Sequence, residues 1–241
     1  MKLAVITDVH ANLPALDAAL EAIAQLGCDR IVHTGDVVDI GPHPRACLER
    51  LLSLSNIELL MGNHDAYMVF GTPAHTSPGE REHQQWTRSQ LSESHLEVIA
   101  RWPYALVETI GGVRVRFQHY GLDATSRDFA PIVRTPTADD LERLFPYDGA
   151  SLTFYGHHHP QADAQGSSRF VNPGSLGCFR EAVARFCVVN FLGDGRYELE
   201  HHAVPYDDGS LLDDFERLNV PDRELIVAAF FGGRNALHSS D

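Results

Sequence analysis

The feature that most constrains this chain is a pattern repeated five times, in which a short strand-like run ends abruptly in side chains competent to bind metals. Ile31-Val32-His33-Thr34 runs into Gly35-Asp36. Lys2 to Thr7 runs into Asp8-Val9-His10, and Ile57 to Met61 runs into Gly62-Asn63-His64-Asp65. Val113 to Gln118 ends at His119, and Ser151 to Tyr155 ends at Gly156-His157-His158-His159. In open α/β sheets, ligands collect where loops leave the carboxyl ends of parallel strands. The pattern therefore predicts a sheet rim that gathers oxygen and imidazole donors from several strands.

The segments between these runs set the topology. Pro14 opens a helix with Leu13, Leu16, Leu20, Ile23 and Leu26 at helical spacing, closed by Gly27. A second helix follows Gly41-Pro42-His43-Pro44 and carries Ala46, Leu48, Leu51 and Leu52. Two right-handed crossovers make the first three strands parallel. Residues 67–102 are polar and helix-like, an expected helical excursion over the site that sets the shape of the substrate pocket. Ala105 to Ile110, Gly111-Gly112 and Val113 to Gln118 read as a hairpin, and Thr137-Ala138-Asp139-Asp140 as a helix start. Arg169 to Val171, Val183 to Phe191 and Tyr197 to Val204 are read as a second sheet, followed by terminal helices at about 207–231. With no linker-like stretch, residues 1–241 are expected to form a single domain.

The formal charge of -14 argues against a nucleic-acid or membrane-surface partner, since both need a basic footprint. It leaves a phosphate substrate open, because a bound metal pair reverses the local sign. Cys28, Cys47, Cys178 and Cys187 have no C-x-x-C spacing and read as reduced thiols. Met1-Lys2 leads straight into the first run without a signal-like segment, so a cytoplasmic location is expected.

Mixed Asp and His donors suit manganese, iron, zinc or nickel better than magnesium or calcium. Asp8 and His10 are two residues apart, as are His157 and His159, and in extended backbone that spacing points both side chains the same way. Taken together, Asp8-Val9-His10, Gly35-Asp36-Val37-Val38-Asp39, Gly62-Asn63-His64-Asp65, His119 and Gly156-His157-His158-His159 resemble the calcineurin-like metallophosphoesterases. Asn172-Pro173-Gly174-Ser175-Leu176-Gly177, and Trp86-Thr87-Arg88 with Leu91, Leu96 and Pro103, are similar to the small bacterial phosphodiesterase-like branch. The sequence departs from the family where Tyr120 stands between His119 and Gly121.

The resemblance implies an α/β fold, a four-layer α/β/β/α sandwich of two mixed sheets flanked by helices. It also implies two divalent transition metal ions, manganese first among them, in a small-phosphoester hydrolase. Asp8, His10 and His159 would hold one ion, Asn63, His119 and His157 the other, and Asp36 would bridge them. His64 would be the general acid and Asp39 would orient it. Two ions roughly 3.5 to 4 Å apart lower the pKa of a bridging water and bind the non-leaving phosphate oxygens. Asp8 and Asp36 neutralise such a pair only in part, which leaves positive charge for the substrate.

Each residue also has a plainer reading. Asp8, Asp36 or Asn63 alone could cap a helix or form a turn. His33, His43, His75 and His83 read as surface or packing residues, although His43 and His75 lie on loops that could overhang the site. His158 is given no metal. Phosphoprotein phosphatases of this superfamily follow the second Asp with Arg-Gly, and Ile40-Gly41-Pro42 stands there instead. That loss favours phosphodiesters, unless Arg127, Arg134 or Arg180 supplies a cation. The alternatives are a phosphomonoesterase or dinucleoside-polyphosphate hydrolase, and a scaffold with this fold such as the retromer subunit.

Overall fold

A computed structural model of the chain describes residues 1–123, 128–145 and 147–233. Strand and helix alternate at first: β1 (Lys2–Ile6), α1 (Leu13–Gln25), β2 (Arg30–His33), α2 (Pro44–Leu52) and β3 (Ile57–Leu59). Helix α1 begins where the Asn12 side chain accepts the Ala15 N–H and Pro14 pre-sets the first turn. Its Ala15, Leu16, Ala19, Leu20 and Ile23 are buried at helical spacing. The two crossovers leave β1, β2 and β3 parallel.

Three helices follow, α3 (Asn63–Phe70), α4 (Pro78–Ser89) and α5 (Glu93–Ile99), before the hairpin of β4 (Ala105–Ile110) and β5 (Val113–Gln118). In that hairpin Ile110 faces Val113 across Gly111-Gly112. Next come α6 (Ala138–Leu144), β6 (Leu152–Phe154), β7 (Ala162–Gln165) and β8 (Arg169–Asn172). The long pair β9 (Val183–Gly193) and β10 (Arg196–Pro205) precedes α7 (Gly209–Arg217) and α8 (Arg223–Phe230).

The strands form two five-stranded mixed sheets, β10-β9-β1-β2-β3 and β4-β5-β6-β8-β7. The late strands therefore do not all join a second sheet. Of the three late strands read from the sequence, only β8 does, while β9 pairs antiparallel with β1 and carries β10 back to the first sheet. The reason lies in both faces of β9. Ala184, Phe186 and Val188 point into the layer shared with α1 and α2, and Cys187, Val189 and Phe191 point between the sheets. A strand apolar on both faces belongs inside a sandwich.

The same alternation runs through β1, where Leu3 and Val5 face the second sheet and Ala4 and Ile6 face the helices. Between the sheets, Phe117 of β5 stacks on Phe154 of β6 at 5.5 Å. Tyr120, Tyr155 and Phe170 pack with Leu141 and Phe145 beside α6 on the outer face of the second sheet. These layers make a four-layer α/β/β/α sandwich. Helices α7 and α8 form a separate apolar cluster with Ile40 and Cys178, which brings these two helices against the strand-exit rim.

Candidate metal centre

The strand exits are not extended. Asp8, His10, Ala11, Asp36, Asp39, His157 and His159 all have positive φ, between 47° and 74°. The two-residue spacing thus converges through left-handed loops, which corrects the expectation of extended backbone. A non-glycine residue held in this region costs on the order of 1–3 kcal/mol, so neighbouring structure must impose it. The Asp8 and His10 N–H groups donate to Gly35 and Asp36 carbonyls at 3.0 Å, and Ala11 N–H to Val37 at 2.9 Å. Asp65 ties the β2 exit to the β3 exit, its carboxylate accepting the N–H groups of Asp36 (2.7 Å), Val37 (3.0 Å), Val38 (3.3 Å) and Gly62 (3.1 Å). Gly62 approaches so closely that a Cβ there would lie 2.1 Å from Asp36 Oδ1.

The Asn172–Gly177 turn ties the remaining loop to the first. Ser175 N–H donates to the His159 carbonyl at 2.7 Å, and Ser175 Oγ donates to the Asp8 carbonyl at 2.9 Å. Gly177 N–H also reaches Asp8, and Asn172 Nδ2 donates to Gly156.

Two donor sets result. The ligating atoms of Asp8, His10 and His159 lie within 4.8 Å of one another, as do those of Asp36, His119 and His157. Asn63 adjoins the second set, with Oδ1 2.9 Å from His157 Nδ1 and 3.1 Å from His119 Nε2. Asp36 Oδ2 stands 3.1 Å from His119 Nε2 and 3.7 Å from His10 Nε2, so it faces both sets. His10, Asp36 and His64 make a third grouping, but His64 Nδ1 is occupied by Asp39 Oδ2 at 2.6 Å.

The donor chemistry fits a cation. His10 Nε2 and His159 Nε2 point at each other across 3.1 Å. Asn63 turns its amide oxygen toward His119 Nε2, His157 Nδ1 and Asp36 Oδ2, where a reversed amide would aim its two N–H groups at the same atoms. A cation among those acceptors selects the oxygen-inward orientation. Burial lowers the His157 pKa to about 3 and that of His159 to about 4, so both imidazoles keep free lone pairs at neutral pH. Burial alone would raise Asp8 and Asp36. The His10 hydrogen bond and the His119 and His159 charges instead hold Asp8 below the usual carboxylate range, and His119 and His64 do the same for Asp36. Against burial, Asp36 raises the His119 pKa, so metal uptake there displaces a proton.

Residues 1–193 match the family model for the calcineurin-like phosphoesterase superfamily domain. The chain belongs to that superfamily. It is similar to the phosphodiesterase YfcE of Escherichia coli, at 27% identity over 188 residues covering 73% of this chain and 79% of that protein. A metallophosphoesterase structure from Sphaerobacter thermophilus superposes with a TM-score of 0.73 at 25% identity, over 94% of this chain and 97% of that one. The hypothetical protein PH1004 of Pyrococcus horikoshii shares the fold, with a TM-score of 0.81 at 22% identity over 96% and 98% of the two chains. The superfamily implies hydrolysis of small phosphoesters with divalent metal ions. No described helix is long and apolar enough to cross a membrane.

In this calcineurin-like site the largest surprise is His83. It is buried on α4, and its Nε2 donates to Asp39 Oδ1 at 3.0 Å, while Thr87 Oγ1 donates to the same oxygen at 3.1 Å. His33 is also buried, but its Nδ1 accepts the Gly35 N–H and burial lowers its pKa to about 3, a packing role. His43 pairs with Asp214 of α7 at 2.7 Å and does not overhang the site. His75 lines a cleft beside it, and His158 lines the site opening with its Nε2 3.3 Å from the Tyr120 hydroxyl. Tyr120, the departure after His119, is buried and stacks obliquely on His157 at 4.7 Å. Arg134 lines the opening, Arg180 projects to solvent beside Glu181, and Arg127 lies outside the described residues.

Proposed function

We propose that the protein hydrolyses phosphodiesters with two divalent transition metal ions, manganese first among them. Asp8, His10 and His159 hold one ion, Asn63, His119 and His157 hold the other, and Asp36 is shared. The observation that carries this reading is the position of Asp36 between two donor sets, with His64 anchored beside them. When bound, the ions supply a nucleophile at neutral pH and screen the charge of the phosphate. The protein's own residues do the rest.

Asp39 fixes His64 through Nδ1, so Nε2 is the nitrogen left to face the site and carries a proton only in the imidazolium form. Burial opposes that form, but the Asp36 charge and the Asp39 hydrogen bond raise the His64 pKa to about 9. Cations bound nearby lower it again, toward the range where a general acid works near neutral pH. His83 and Thr87 act as positioning residues on the far oxygen of Asp39. Ile40 lies in the opening where the phosphoprotein phosphatases carry arginine, which supports a substrate with one charge fewer than a monoester dianion.

The test is hydrolysis of bis-p-nitrophenyl phosphate beside p-nitrophenyl phosphate by metal-stripped protein, with and without added manganese. Manganese-dependent turnover favouring the diester is expected. Preference for the monoester would identify a phosphomonoesterase, inactivity toward both with metals bound would leave a narrow substrate or the scaffold, and lack of stoichiometric metal without recovery on adding manganese would favour the scaffold.

A further inference from the structure

Two clefts meet at the donor cluster. One, of about 480 Å³, contains His64, Ile40, Arg134, His158, Pro160 and Phe230 in its wall. The other, of about 660 Å³, runs between α3 and the 128–132 segment and contains Tyr67, Phe70, His75, Tyr104 and Phe129. They share His157 and Ile132, so a phosphorus at the cluster would send one ester arm into each.

The two clefts differ in chemistry. His64, the acid in the proposed function, lines only the smaller one, and Arg134 is its one lysine or arginine among the described lining residues. The larger holds no lysine or arginine among its described lining residues, so an anionic arm finds no countercharge from them. It is also aromatic at its inner end, where Phe129 lies 5.8 Å from Tyr104 and edge-on to His119 at 5.5 Å, and Tyr67 meets His64 at 5.5 Å. Phe70 is 46% exposed and Ile132 47%, so apolar surface is left open at the rim of these clefts.

We propose that the larger cleft binds a flat aromatic group on the arm that stays with phosphorus, while the leaving arm lies along His64 and Arg134. This assignment rests on the phosphodiesterase reading and deepens it. Water forms the new P–O bond as the bond to the leaving arm breaks. The leaving oxygen takes a proton from His64 Nε2, water's proton passes to solvent, and an aromatic phosphomonoester is released from the larger cleft.

Benzyl p-nitrophenyl phosphate and methyl p-nitrophenyl phosphate share a leaving group and differ in the retained ring. With manganese-loaded protein, kcat/KM for the benzyl ester is expected to exceed that for the methyl ester by about tenfold or more. Phe70→Ala and Tyr67→Leu should shrink that ratio to about threefold or less. Benzyl ethyl phosphate, whose arms leave with similar difficulty, should give benzyl phosphate and ethanol. Equal kcat/KM for the two aryl esters, a ratio unmoved in both variants, or release of ethyl phosphate would overturn the arm assignment and leave the phosphodiesterase reading standing. Absence of manganese-dependent turnover on every diester would overturn both.

Discussion

At Asp39, two imidazoles and a hydroxyl converge on one buried carboxylate. Burial would raise its pKa, yet the hydrogen bonds from His64 and His83 hold it far below the usual range, so it stays ionised as an anchor. His64→Ala should keep both metals and lose about 10²- to 10⁴-fold in rate on esters with poor leaving groups, read by elemental analysis beside turnover. Loss of metal in that variant would instead make His64 a ligand. His83→Ala should show the same leaving-group dependence in weaker form, about tenfold, with little change for p-nitrophenyl esters and rescue by His83→Gln. A uniform loss on all esters would mean that His83 only supports α4. The donor residues were legible in the sequence because each stands where an apolar run stops. His83 was not, because it lies inside a polar helix and its partner is 44 positions earlier in the chain. The only local signal is the buried His83–Thr87 pair at helical spacing, which has meaning once Asp39 is known to face it.

Among the elements, the loops after β1 and β2 are strained individually, with residues at positive φ, and become stable together with the β3 exit. Asp65 is what joins the β2 exit to the β3 exit, through four backbone N–H groups. Burial and the Asp36 charge raise its pKa to about 7 despite those donors. Asp65→Ala would leave the buried N–H groups unsatisfied, at roughly 1–3 kcal/mol each where water does not replace the carboxylate. We expect a loss of at least about 3 kcal/mol in stability and weaker binding of metal in the Asp36 set, checked by denaturant unfolding and by metal titration. The parallel β1-β2-β3 core and the β4–β5 hairpin could be read from periodicity and turn chemistry. The return of β9 to β1 could not, because pairing between strands some 180 residues apart leaves no local mark. β7 escaped notice because Ala162-Asp163-Ala164-Gln165 offers no branched or aromatic residue to signal an edge strand.

Over the whole molecule, the site collects buried carboxylates that favour the charged form. Asp8, Asp36 and Asp39 have folded pKa values depressed below the unfolded ones. The stability they contribute is therefore fully present above the unfolded carboxylate pKa of about 4 and is lost as pH falls below it. Buried His33, His157 and His159, whose folded pKa values lie below the unfolded value of about 6.5, add a loss that begins as pH falls through that value, so the melting temperature of metal-free protein should decline below about pH 6.5 and drop more steeply toward pH 3; a flat profile from about pH 6.5 to 3 would contradict the assignment. We further propose that residues 1–241 fold as one unit, which predicts a single cooperative transition with coincident fluorescence and circular dichroism. Metal stoichiometry in Asp36→Asn beside the unaltered protein, both loaded with manganese and freed of excess, tests Asp36 as the shared ligand. Two ions in the unaltered protein, with fewer than two and little turnover in the variant, would bear out Asp36 as the residue shared by both sets. Two retained ions with normal turnover in Asp36→Asn would contradict it.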